Sequence, residues 1–239
     1  MGIDPEGVSM PDTIDRREAV STGLAILFGY FSIAVAFGVS GEAVSLPAFA
    51  VAGLSVFVFA GASQFMAVSL IAQGAGAIPI IAATLVLNSR HIVMSMSLRD
   101  RVLGTRIPRP VLAFGITDEV FTAAATRPGP IGERELLTME LLAYSGWVSG
   151  TIAGFVVGGL LPATIEQAMG IALYAMFVAL IVPAIVRFPR YLWPALAAGG
   201  TNWLFQRLGA PVGVSLLLAI TLVALGFALL PAWSEEESA

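Results

Sequence analysis

Apolar stretches close to the length that crosses a bilayer recur along the whole chain, and this recurrence limits the fold more than any single motif. They fall at roughly 19-40, 47-72, 77-98, 110-126, 136-161, 167-186, 191-206 and 210-231. A hydrocarbon core of about 30 Å takes about 20 apolar helical residues to cross. Only helices or closed barrels satisfy their backbone polar groups there. The runs are continuous, whereas a barrel strand alternates between lipid-facing and lumen-facing residues. Composition agrees, with 57% hydrophobic and 12% charged residues among 239 and a mean hydropathy of +0.89. Soluble domains carry about a quarter charged residues. The expectation is an all-α polytopic helical membrane protein of eight hydrophobic segments, seven or eight of them crossing.

A single transmembrane domain over 19-231 is expected, flanked by a polar N-terminal arm at 1-18 and an acidic tail at 232-239. The arm lacks the basic region of a secretory signal, so no cleavage is expected. The chain has no cysteine, which excludes disulfides and thiolate metal sites. All twelve basic residues are arginine, and no GxxxxGK[ST] loop exists to hold nucleotide phosphates. Any pumping must therefore draw on an ion gradient or a separate ATPase. No cofactor or metal is expected, and the net charge of -4 speaks against nucleic acid. Arginine bias leaves the orientation open. It is six against five if every run crosses, and seven against four if 77-98 is re-entrant or broken.

Few ionisable residues lie within the runs. Arg90 and the only histidine, His91, occupy the third, and Asp118 and Glu119 the fourth. Glu140 lies five positions into the fifth, near an interface, where it reads as solvated or snorkelling. A charge at a helix centre costs on the order of 2.5-3.5 kcal/mol, so a chain retains one when it is paired or faces a hydrated cavity. The third and fourth segments are joined by a short loop and are antiparallel neighbours. Arg90 is therefore expected to face Asp118 or Glu119. Adjacent acids cannot both face one helix, so one is left over beside titratable His91, as a proton- or cation-coupled site would use. A helix-gluing ion pair without further role is the alternative.

Internal similarity adds a second candidate feature. AGASQF at 60-65 matches AGGTNW at 198-203 class by class, AATLV at 82-86 matches AITLV at 219-223, and GLAIL at 23-27 resembles GIALY at 170-174. These matches suggest three-segment repeats at 20-98 and 167-231, separated by connecting segments over 110-161. If every run crosses, the copies are inverted, as in many secondary transporters. The segment 191-206 is interrupted by Pro194, Gly199 and Gly200, so broken helices are expected in both copies. Gly61, Ala62, Ser63 and Gln64, with Gly199, Gly200, Thr201 and Asn202, would then offer donors to a substrate carboxylate, and Asn88 would join them. Close helix packing is the competing explanation for the glycines.

FAGASQFMAVSLIAQGAG at 59-76, LNSRHIVMSMSL at 87-98 and GITDEVFTAA at 115-124, in that order, resemble the large subunit of the AzlC-type branched-chain amino acid exporters, over residues 20 to 231. The resemblance implies a permease in the cytoplasmic membrane of a prokaryote. Its implied substrates are leucine, isoleucine and valine, or methionine in some members, moved by secondary transport with a small hydrophobic AzlD-type partner. Secondary transport agrees with the missing nucleotide motif. The resulting expectation is a secondary transporter subunit exporting small apolar amino acids, coupled through His91 or the acid that Arg90 leaves unpaired. A small-solute or ion channel subunit is the alternative, and no enzymatic signature accompanies His91 and the neighbouring serines.

Overall fold

The computed structural model describes residues 16-104, 106-127, 129-160 and 189-229, with positions 178, 182, 185 and 186. The expected terminal arm up to residue 15, the tail at 232-239, most of the segment 167-186 and the GIALY match lie outside the described residues. Among the described residues, the regular structure is helical apart from one parallel pairing of two-residue strands, β1 (Val102–Leu103) with β2 (Ile131–Gly132), which ties together the loops at one end.

Three described helices are long and apolar enough to cross a membrane, namely α1 (Arg16–Ala43), α4 (Ala77–Leu98) and α7 (Glu133–Gly158). The 77-98 run is thus one continuous helix of 22 residues. Helices α1 and α7 form the tightest contact. Gly146, Gly150, Gly154 and Gly158 recur every fourth residue along one stripe of α7. A Cβ at Gly146 would stand 2.5 Å from the Leu27 carbonyl oxygen, and one at Gly150 2.5 Å from that of Phe31. Gly154 meets Val35 in the same way, and Gly38 of α1 returns the approach against Thr151. In lipid, where burial of apolar surface gives helices no drive to associate, such small residues let backbones meet and gather van der Waals contact.

Two segments are broken. The 47-72 run forms α2 (Ala48–Phe57) and α3 (Gly61–Ala72), with Phe59 between them at a positive φ of 45°. A bulky residue holds that conformation only when its surroundings enforce it. Phe59 is buried against Tyr30, Phe114 and Tyr144, with ring centroids 6.3, 6.0 and 5.0 Å away. The exposed backbone of the break is satisfied locally. Ala60 N–H donates to Gln64 Oε1 (3.0 Å), Ser63 Oγ to the Ala60 carbonyl (2.9 Å), and Tyr144 Oη to the Val56 carbonyl (3.1 Å). The 110-126 run, expected as one helix, forms α5 (Arg109–Gly115) and α6 (Asp118–Ala125), separated by Ile116 and Thr117.

The 191-206 segment differs from expectation in the opposite sense. After a short 3-10 turn at Pro189–Tyr191, α8 (Leu192–Arg207) runs unbroken through Gly199 and Gly200. Pro194 falls in its first turn, where the missing N–H has no partner to lose. A helical glycine keeps its N–H and costs only about 1 kcal/mol against alanine. The break at AGASQF is therefore not repeated at AGGTNW. Helix α9 (Val212–Ala228) follows and packs on α4, with Leu216 against a small core of Met66, Leu70 and Ala83.

Two substitutions separate close packing from mere glycine content. Gly150→Val should force α1 from α7 and destabilise the fold by about 1-3 kcal/mol, the usual range for overpacking. Gly200→Ala, with nothing within 4 Å of the added carbon among the described residues, should be neutral or stabilise by up to about 1 kcal/mol. Melting of the detergent-purified variants reads both.

Candidate functional site

Residues from both breaks line one small cavity. Its lining includes Gly61 and Ala62 at the start of α3, Arg90 and His91 of α4, and Thr117, Asp118 and Glu119 at the start of α6. Tyr30 and Ile33 of α1, Phe59 and Ala60 of the first break and Trp147 of α7 close it. Its volume is about 50 Å³, room for water-sized guests, whereas ligand pockets usually run to about 300-1,000 Å³. An amino acid therefore fits only if the helices around the breaks separate.

The adjacent acids divide between two helices. Thr117 is the N-cap of α6, and Asp118 and Glu119 follow in its first turn, where the helix dipole favours negative charge. Successive residues point about 100° apart around a helix, so the two side chains diverge. Asp118 Oδ2 pairs with Arg90 Nη2 of α4 at 2.8 Å. Glu119 accepts a hydrogen bond from the Tyr30 hydroxyl of α1. The Tyr30 ring is held edge-on against Trp147, centroids 5.4 Å apart. Arg90 thus takes one acid, while Glu119 is left to a neutral phenol. The Nε of Arg90 is buried without a hydrogen-bond partner among the described residues, so the guanidinium keeps a donor in reserve.

On the opposite wall, α3 begins at Gly61. The first N–H groups of a helix have no acceptor within it and carry partial positive charge. The cavity thus combines donors and a positive helix end on one side, carboxylates on another, and aromatic rings between. The glycine is needed there: a Cβ at Gly61 would stand 2.6 Å from the Trp147 ring.

Other expected site residues lie elsewhere. Gln64 is fully buried and its side chain is spent within the fold, with Nε2 donating to Ser55 Oγ at 3.1 Å and Oε1 accepting from Ala60. Ser55 in turn meets Thr151 of α7 at 2.7 Å. Gln64 therefore locks the α2/α3 junction onto α7, and buried Ser63 closes the same turn. Gly199, Gly200, Thr201 and Asn202 lie along α8 and do not line the cavity, and Asn202 Oδ1 accepts from Ser215 Oγ at 2.9 Å. Asn88 is off the cavity too, its Oδ1 buried and unbonded among the described residues.

Glu140 requires a correction. It is neither solvated nor snorkelling but only 3% exposed, under α5. Helix α7 already begins at Glu133, and the protein itself closes over the side chain. Tyr30, Phe59, Thr117 and Trp147 were not expected at the site. A threonine directly before two acids is a helix-start signal that reveals Thr117, whereas the aromatics carry none.

Comparison with known proteins places the chain in a wider group. The profile of the AzlC protein family matches residues 25–161, which span every cavity-lining residue. A membrane protein of Archaeoglobus fulgidus is 31% identical over 92% of this chain and 95% of its own length. Inner membrane protein YgaZ of Escherichia coli is 28% identical over 74% of this chain and 76% of its own. The branched-chain amino acid transport protein AzlC of Bacillus subtilis is 26% identical over 59% and 57% respectively. No solved structure matches. Profile and relatives agree with the helical architecture: the chain is a membrane protein of the AzlC family.

Proposed function

We propose that the protein is a secondary transporter subunit that exports branched-chain or related small apolar amino acids across the cytoplasmic membrane of a prokaryote. The observation that carries this reading is the pairing of the α3 N-terminus with Asp118 and Glu119 across one cavity with aromatic walls. A zwitterion needs both signs of partner a few ångström apart. Its carboxylate would take the free N–H groups at Gly61 and Ala62, its ammonium the acids at the head of α6, and its apolar side chain the rings of Phe59 and Trp147. The printed name of the Bacillus subtilis relative, a branched-chain amino acid transport protein, supports that substrate class.

Transport rather than catalysis fits the site. Arg90 holds Asp118 at the cavity edge, and Glu119, bonded to Tyr30 but without an ion pair among the described residues, or His91 would take up the coupling proton or cation. The small cavity supports alternating closure rather than a continuous pore. Apolar side chains point outward from α8, among them Trp193, Leu196 and Trp203. They suit lipid or a small hydrophobic AzlD-type partner.

Proteoliposomes loaded with leucine, made with and without the small partner, test the reading. Asp118→Asn and Glu119→Gln should each weaken leucine binding and efflux by about ten- to hundred-fold, the usual worth of a hydrogen bond to a charged group. Gln64→Ala should instead lower the melting temperature with binding per folded molecule unchanged. Full leucine efflux in both acid variants would overturn the site assignment.

A further inference from the structure

Two buried acids among the described residues, Glu133 and Glu140, are not used by the proposed site, and only Glu140 lacks a hydrogen-bond partner there. Both of its carboxyl oxygens are buried without a hydrogen-bond partner among the described residues. The carboxyl rests on the backbone of Gly115, the last residue of α5. A Cβ there would lie 2.5 Å from Glu140 Cδ and 2.6 Å from Oε2. Only a residue without a side chain leaves this space.

Several ionisable groups on the elements packed around it are engaged elsewhere. Asp118 pairs with Arg90, and Glu119 with Tyr30. Arg109 of α5 donates to the carbonyls of Val102 and Gly104. On α7 itself, Tyr144 donates to Val56 and Glu133 accepts from the Arg106 and Ile107 N–H groups. Glu42 of α1 lies at the far end of α7, beside Gly158. No ion pair reaches Glu140 among the described residues. An ionised carboxylate without a partner is strongly disfavoured in a protein interior.

Position gives the residue a role. Glu133, Glu140 and Trp147 are spaced by seven along one stripe of α7, about 10 Å apart at 1.5 Å per residue. Glu133 lies at the loop end and Trp147 in the cavity wall. Gly115 stands directly before the break that leads into Asp118 and Glu119.

We propose that Glu140 is a second proton-binding site of the transport cycle, midway between the loop end of α7 and the cavity. The proton comes from water on one side, is held as O–H on a carboxyl oxygen, and returns to water on the other side. No other bond is made or broken. The inference rests on the transport reading, but proton binding itself is measurable without transport.

Infrared difference spectra of the purified protein across a pH titration provide that measurement. The wild type should show the carbonyl stretch of a buried protonated carboxyl, Glu140→Gln should lose it, and Glu140→Asp should shift it. The aspartate variant keeps an acid in place and serves if the glutamine variant fails to fold. In proteoliposomes, Glu140→Gln should retain leucine exchange at equal pH on both sides but lose the stimulation of efflux by an imposed pH gradient. Spectra of Glu140→Gln and wild type that coincide through the titration would overturn the proposal. So would an undiminished gradient response, or efflux that follows sodium instead of pH. If the wild type moves no leucine while the Glu140 band is present, the transport reading fails and the proton site stands.

Discussion

The glycine stripe of α7 lying on α1 is the contact on which the other features depend. Two long helices meet backbone to backbone at Gly146, Gly150 and Gly154, leaving little freedom to rotate or slide. That fixed pair carries Tyr30 on one helix and Trp147, Thr151 and Glu140 on the other. The remaining elements are built against it. Thr151 anchors the first broken helix through Ser55 and Gln64, and the Trp147 ring sets how closely Gly61 approaches. Packing of small residues, rather than apolar burial, is the force available inside a bilayer.

Against this frame the broken helices put polar groups where continuous ones could not. A helix that crosses without interruption hides its N–H groups in its own ladder, and only an end frees them. Breaking 47-72 at Phe59 and 110-126 at Ile116 and Thr117 brings two helix starts to the same cavity. One start is left with free donors, and the other is filled with acids. Arg90 then keeps Asp118 from standing as an uncompensated charge, at the distance of a direct ion pair. The aromatic cluster of Tyr30, Phe59, Phe114 and Tyr144 holds Phe59 in its unfavourable backbone conformation.

Much of this was legible in the residues themselves. The helical membrane architecture followed from the length and continuity of the apolar runs. The meeting of Arg90 with an acid of TDE followed from counting charges, although choosing Asp118 over Glu119 required the angle at which α6 presents them. Gly61 and Ala62 were found through the AGASQF segment. The same logic failed at AGGTNW, because a glycine pair in a helix is tolerated, and α8 runs unbroken through Gly199 and Gly200, which approach nothing among the described residues. Gln64 was a polar residue with a structural use. Its bonds to Ser55 and Ala60 depend on a tertiary turn that a linear reading does not contain. Glu140 was misplaced because its distance from the start of an apolar run says nothing about which helix covers it. The spacing of Gly146, Gly150, Gly154 and Gly158 was plainly visible and signals a helix-packing face by itself.

The central claim is that one amino acid zwitterion lies between the two helix starts. A structure determined with leucine bound tests it most directly. The account predicts leucine in the cavity, its carboxylate at the N–H groups of Gly61 and Ala62, its ammonium at Asp118 and Glu119, and its side chain against Phe59 and Trp147. Leucine bound away from these residues, or held with the opposite polarity, would contradict it.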